Sequence, residues 1–238
     1  MLYQLHDVSR YILVFITQPI VSIILLYLAF KIIKRNRSVH TIVLSLFYFI
    51  VSIGFLLNVI YAFAAIYNNE VIIYTIFYIT TYIIIDSLIY LIIFIKILLK
   101  VEEKLKIKKD LLYIVIYGIV CTYIFFFPNG ITINETTGWR PLYSMEFMIF
   151  SYIFMTFSII IPLIYYSFKL YKTIQTKTLK KKYRLFAIGT LGFVSVIYGT
   201  ILYNTWQNPT YRLFWSIGAT FFAIITSLLI YYGIGKDL

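Results

Sequence analysis

Asp86 is the ionisable side chain that lies deep inside a long apolar run of this 238-residue chain. A charge at the centre of a bilayer costs about 2.5–3.5 kcal/mol on insertion scales, so an acid there is a functional candidate by default. Helical spacing puts Thr75, Tyr82, Asp86 and Tyr90 on one stripe, with tyrosines four residues before and after the acid. Tyrosine hydroxyls at those positions can donate to the carboxyl. One reading is a ligand, proton or cation site facing the interior of a helix bundle. The other is a protonated Asp86 that bonds a neighbouring helix and serves packing alone. Gln18, beside Pro19, and Asn58 lie at middle to outer depths, and Asn204 at an outer end. With Asp86, Tyr82 and Tyr90 they compose the expected ligand site, a pocket open to the outside. Asn58 alone has a plainer reading, an interhelical hydrogen bond worth about 0.6–2 kcal/mol.

These residues do not make an enzyme. His6 and His40 fall on opposite sides of the membrane and cannot share a metal, no Ser/His/Asp set exists, and no glycine loop could cradle a phosphate. A hydrolase cutting within the membrane needs paired acids or a metal cluster, and Asp86 stands by itself. No catalytic residue, metal or cofactor is expected. Cys121 is the single cysteine, so no intramolecular disulfide can form.

The elements that must position the polar residues follow from composition. Hydrophobic residues make up 62% and charged residues 13%, with a mean hydropathy of +0.90. A globular domain carries roughly 45–50% and about 25%, so a soluble domain, a disordered chain and a nucleic-acid-binding chain are excluded, and the first partner is the lipid bilayer. Seven apolar runs appear, at 11–33, 41–67, 71–99, 111–127, 147–170, 185–204 and 213–233. The fourth sits at the lower limit for a span. The first is too long for a cleaved signal peptide and no small-residue cleavage site follows it. A barrel would show ten-residue alternating segments, whereas these runs are longer and continuously apolar. Ile, Val, Phe and Tyr favour strands in water, but in lipid each segment must satisfy its own backbone polar groups. The expected fold is all-α: residues 1–238 form one seven-transmembrane helical bundle.

Eighteen of the 21 basic residues gather on one side: Lys31 to Arg37, Lys96 to Lys109, Lys169 to Arg184, and Lys236. Arg10, Arg140 and Arg212 remain for the other. Cytoplasmic loops carry the Lys/Arg excess, which places the N-terminus outside and the C-terminus in the cytoplasm. Attraction to anionic lipid headgroups explains the basic loops; the run 177–184 could also dock an acidic cytoplasmic partner. Trp139, Trp206 and Trp215 fall near the outer boundary, where interfacial anchoring accounts for them. Asn134-Glu135-Thr136 is a glycosylation sequon on the outer side; Asn36-Arg37-Ser38 falls on the cytoplasmic side.

The end of the first run, Tyr27-x-x-Phe30-Lys31-x-x-Lys34, returns 138 residues later as Tyr165-x-x-Phe168-Lys169-x-x-Lys172, each with a proline upstream, Pro19 and Pro162. Those prolines should kink their helices. Spans 1–3 could repeat in 5–7 with span 4 as connector. That layout resembles the sugar-transporter and PQ-loop families, although this chain has only the reversed Gln18-Pro19 and no proline in spans 2 and 6. A retinal protein needs a lysine within span 7, which has none. Gly189, Gly192, Ser195 and Gly199 form small surfaces for close helix approach in span 6.

Leu228-Leu229-Ile230-Tyr231-Tyr232-Gly233-Ile234-Gly235-Lys236, Lys180-Lys181-Lys182-Tyr183-Arg184-Leu185-Phe186 and Gly138-Trp139-Arg140-Pro141-Leu142-Tyr143 resemble the last spans of the multi-span N-terminal sensor modules of prokaryotic histidine kinases. The chain stops at Leu238 without a kinase domain, as a stand-alone relative or a cut chain would. The resemblance implies a receptor-like sensor in the cell membrane. It would bind a small molecule from the outer side and signal to a cytoplasmic partner or through a homo-oligomer. The alternative is a small-solute or ion transporter with a 3+1+3 helix arrangement.

Overall fold

The computed structural model describes residues 8–65, 69–99, 107–123 and 126–236. His6, Tyr67, Lys100, Lys104, Lys106 and Leu238, which enter the expectations above, lie outside them, as do the side chains of Lys108 and Lys109. Among the described residues seven helices follow one another: α1 Val8–Arg35, α2 Val39–Ala64, α3 Glu70–Leu99, α4 Ile107–Tyr123, α5 Met145–Thr173, α6 Lys177–Thr205 and α7 Pro209–Gly235. A two-stranded hairpin, β1 Ile131–Thr132 with β2 Leu142–Tyr143, separates α4 from α5. Six helices are long and apolar enough to cross a membrane. The exception is α4, whose 17 residues rise about 25 Å against a hydrocarbon thickness of about 30 Å.

Polar side chains punctuate the apolar runs. Ser38 caps α2 and Ser144 caps α5, each accepting from the amide three residues on. Asn208 does the same for α7, with Pro209 in the first turn, where its missing N–H costs nothing. The helices extend beyond their apolar runs for a physical reason. The apolar run marks where lipid is tolerated; the helix continues as long as its backbone bonds do. Thus α6 begins at Lys177, and the basic run 177–184 is helical rather than loop.

Pro19 and Pro162 act alike. Each is the second residue after a π-helical turn, Ile12–Thr17 in α1 and Thr156–Ile160 in α5. Proline lacks the N–H owed to the carbonyl four residues back and its ring crowds that carbonyl, so the helix widens there. For Pro162 that carbonyl belongs to Ser158, and it accepts from the Tyr113 hydroxyl of α4 at 3.4 Å. A neighbouring helix thereby satisfies the group that proline freed.

The helices α1, α2, α3, α5, α6 and α7 pack in a ring, each on the next and α7 back on α1, with α4 outside against α3 and α5. The centre is filled by aromatics from facing helices: Phe47 on Phe193, Phe94 on Phe186. The fully buried Tyr48 of α2 donates to the Ser227 carbonyl of α7 at 2.9 Å. Large apolar side chains point outward on every helix, among them Ile23, Phe63, Ile79, Ile119, Phe157, Ile188 and Phe221. A belt of that extent belongs in lipid, not water. At the end opposite the hairpin, lysines rest on tyrosine rings, Lys31 on Tyr231 and Lys96 on Tyr113, with their apolar stems along the bundle.

The seam between α6 and α7 brings backbone against backbone. A Cβ on Gly189 would stand 2.8 Å from the Thr226 carbonyl oxygen and from the Ile230 nitrogen. Gly192 lies against Thr226, Gly199 against the Trp215 ring, and Gly233 against the backbone of Phe186. Ser195 is exposed and stands off this seam.

Candidate functional site

Beneath the hairpin, five helices line a cavity of about 130 Å³. Its walls come from α1, α2, α3, α6 and α7, and the strand residue Tyr143 with Arg140 and Pro141 forms the roof. A helix presents side chains three and four residues apart to one side; accordingly α1 contributes Arg10, Leu13, Val14, Thr17, Gln18 and Val21. Arg10 stands about 12 Å above Gln18 along that helix. The deeper wall is apolar, with Val21, Phe55, Ile84, Ile85, Phe193 and Ala223.

Three of the expected site residues meet here. Gln18, Asn58 and Asn204 all line the cavity, and the Asn58 Nδ2 donates to Gln18 Oε1 at 2.7 Å, bridging α2 and α1. Asn204 and Thr81 reach the Tyr143 phenol of the roof. Burial pushes that phenol above its ordinary value, an effect those two side chains partly offset, so Tyr143 stays neutral at physiological pH.

Asp86, Tyr82 and Tyr90 are not on this wall. They occupy the neighbouring stripe of α3, turned toward α4, because successive helical residues rotate by about 100° and Ile84 and Ile85 take the cavity side. The space over Gly118 of α4 is filled by the Tyr82 hydroxyl, with Asp86 Oδ1 behind it. Tyr117 donates to the Ile85 carbonyl at 3.1 Å, and Cys121 is buried beside it. Asp86 Oδ1 is buried without a hydrogen-bond partner among the described residues. The expected site therefore divides into two places, one lined by five helices and one between α3 and α4. Asp86→Asn keeps the shape of the second and is expected to hold the thermal midpoint in detergent within about 2 °C of wild type. A fall well beyond that would show that the α3–α4 contact needs the carboxyl itself.

Sequence reasoning passed over three arginines of the lining. Arg10, Arg140 and Arg212 served only to orient the chain, yet all three line this one cavity. Arg10 donates to the carbonyls of Gly138 at 2.7 Å and Trp139 at 3.0 Å, and lies over the Tyr61 ring. Arg212 is 7% exposed. It donates to Gln207 Oε1 at 3.1 Å and to the Tyr203 hydroxyl at 3.3 Å, above the Tyr203 ring. The signal was their rarity: three arginines at an end otherwise lacking basic residues. Thr80 and Thr81 were missed as well, two polar residues together in an apolar helix. Thr81 returns its hydroxyl to the Phe77 carbonyl, as helical threonines do. Thr80 is 1% exposed and its hydroxyl has no hydrogen-bond partner among the described residues.

Trp139 departs from the anchoring expectation. It is buried, with a left-handed backbone at φ 56° following Gly138 at φ 61°. Its carbonyl accepts from both Arg10 and Tyr61, the latter at 2.6 Å. The sequon residue Asn134 is part of the same loop, where its side chain caps the turn Glu135–Thr137. No protein-family model, no curated protein and no solved structure matches the chain.

Proposed function

We propose that this protein is a receptor-like membrane sensor: a seven-span bundle with the hairpin end outside and the C-terminus in the cytoplasm. It admits a small molecule from the hairpin side and passes a helix shift to the opposite end. The cavity beneath the hairpin carries this reading, since it joins polar residues from three distant parts of the chain, Gln18, Asn58 and Asn204, in one lining. Pockets that bind small molecules are mostly apolar with a few placed polar groups, and this lining is of that kind. The route outward from the site is α6. That helix carries Asn204 on the cavity wall and the basic run 177–184 at its other end, about 35 Å away. The glycine contacts hold α7 to it, so the pair moves together. A ligand favouring one position of the pair shifts the population toward it, and the basic helix end presents that change to a cytoplasmic partner. The resemblance of the last spans to histidine-kinase sensor modules agrees with such a role.

One observation favours a transporter as the second reading. A π-turn followed by a proline occurs in both α1 and α5, as hinges in two halves would, and alternating access rocks one repeat against another. Saturable, counterflow-competent uptake of a small solute into sealed liposomes would replace the sensor with the transporter.

Orientation and span number are tested by single cysteines at the exposed positions Glu135 and Lys181, with the buried Cys121 as silent background. An impermeant thiol reagent added to intact cells is expected to label position 135 and not 181. The reverse pattern would invert the topology, and labelling at both would rule out seven spans.

A further inference from the structure

We infer that the cavity recognises a small uncharged molecule by an amide-like edge: Gln18 and Asn58 hold its hydrogen-bond donor and acceptor, and its compact apolar body lies against the aromatic and aliphatic wall. This rests on the cavity being the ligand site. Gln18 and Asn58 come from α1 and α2, and both line the cavity. Each primary amide carries one carbonyl and one NH2 group. The bond from Asn58 Nδ2 to Gln18 Oε1 at 2.7 Å uses one of each. It leaves the Asn58 Oδ1 carbonyl and the Gln18 Nε2 group without a hydrogen-bond partner among the described residues. Turning both amides over exchanges the two roles and still leaves one carbonyl and one NH2. The spare groups belong to amides bonded to each other, so one ligand can reach both. The Thr80 hydroxyl, buried in the same lining, is a third group with no partner among the described residues. The neighbouring threonines have spent theirs: Thr81 on the Phe77 carbonyl, Thr200 on the Val196 carbonyl and Thr17 on the Ser216 carbonyl. Buried polar groups left over in this way are satisfied by a ligand atom or by water.

The chemistry of the ligand follows from the groups left over. A molecule with a donor and an acceptor side by side, a carboxamide or a lactam, answers both side-chain amides at once. A ligand with acceptors alone, a ketone or a carboxylate, leaves the Asn58 carbonyl unpaired, and a buried carbonyl in that state carries its desolvation cost. Gln18 lies ten residues into α1 and Thr80 ten residues into α3, about 15 Å along each helix. Gln18, Asn58 and Thr80 are neutral, and bringing an ionised head down to them costs far more than bringing a neutral one. The wall beside them is Phe55, Phe77, Ile84 and Phe193. The volume of about 130 Å³ is close to that of an engineered apolar cavity of about 150 Å³ that takes up benzene. The part of the ligand held here is therefore of single-ring size.

The test uses three probes of one shape and different heads: benzamide with a donor and an acceptor, acetophenone with an acceptor alone, and the anion benzoate. Each is titrated into the full-length protein in detergent, with empty micelles as the blank, and read by calorimetry and by thermal midpoint. Benzamide is expected to bind saturably and at least about fivefold more tightly than either of the others, the smaller end of what a buried carbonyl left unpaired costs. The double variant Gln18→Met with Asn58→Leu removes both amides, so neither is left buried without the other. It is expected to weaken benzamide about fivefold or more and acetophenone less than about twofold, with a thermal midpoint close to wild type. The series on the unmodified protein decides the matter if that variant does not fold. Affinity for acetophenone or benzoate equal to or above that for benzamide, or benzamide binding indifferent to the double variant, would overturn the amide recognition while leaving the cavity as a ligand site. Binding of none of the three would overturn the amide recognition and the cavity together.

Discussion

Gly233→Val is expected to cost about 3 kcal/mol or more, and to lower the thermal midpoint of the purified protein by on the order of 10 °C. A Cβ at this position would stand 2.5 Å from the Phe186 nitrogen and 2.8 Å from its Cα. Both are backbone atoms in the middle of α6, so no side-chain rotation relieves the clash. The only relief is separation of α6 from α7, and that also undoes the contacts at Gly189 and Gly192. In lipid this loss is not offset by any hydrophobic gain, because helix association there depends on close van der Waals packing of small residues. Gly218→Ala on the same helix is the control. Its added Cβ meets nothing closer than Phe214 at 4.0 Å, and alanine is the better helix former, so its midpoint stays level or rises. A Gly233→Val protein melting within about 2 °C of wild type would mean that α6 and α7 are not joined as described.

The second large effect is local. Arg10→Met keeps the apolar stem but removes both bonds to the Gly138 and Trp139 carbonyls. Hydrogen bonds from a charged donor contribute roughly 1.5–3 kcal/mol each, and a buried carbonyl left alone adds its desolvation. The expected result is a fall of about 2–3 kcal/mol in the free energy of opening the hairpin, seen as roughly 30- to 150-fold faster amide exchange over residues 131–143. The rest of the bundle should exchange at the wild-type rate. Tyr61→Phe removes one bond to the same Trp139 carbonyl and should cost about 1 kcal/mol. The double variant should cost more than the sum, since either donor alone still satisfies the shared carbonyl and losing both leaves it unpaired. Hairpin exchange within twofold of wild type in Arg10→Met would show that the roof is held by other contacts. The same latch explains why a tryptophan suited to the membrane interface is buried here. Its backbone, turned by two successive left-handed residues, is what Arg10 and Tyr61 hold.

Much of the candidate site could be read from residue type and depth, and the remainder could not. Gln18, Asn58 and Asn204 are polar residues in apolar helices, and a polar group in that setting needs a partner or a purpose; depth alone brought them to the same level of the bundle. Asp86 satisfied the same criterion more strongly, yet its stripe faces α4. A rotation of about 100° between adjacent helical positions separates a cavity residue from a packing residue, and hydropathy carries no record of that angle when both faces are apolar. Arg10, Arg140 and Arg212 read only as exceptions in the charge count, because nothing in their order along the chain brings the first turn of α1, the hairpin and the first turn of α7 together.

What the sequence determined by itself is the class of element and its environment. Sixty-two per cent apolar residues in long uninterrupted runs leave helices in a lipid setting as the solution that satisfies the backbone, and the serine, asparagine and proline residues at the run ends set where those helices start. Tertiary structure decided which face of each helix meets which neighbour. That choice depends on shape at single positions: a missing Cβ at Gly189 and Gly233 that admits a backbone, a ring at Phe193 or Phe186 that fills the centre, a π-turn before Pro19 that turns α1. Such contacts are short-ranged and joint between residues far apart in the chain, so they exist only once the bundle has closed, and the arginine-lined cavity exists with them.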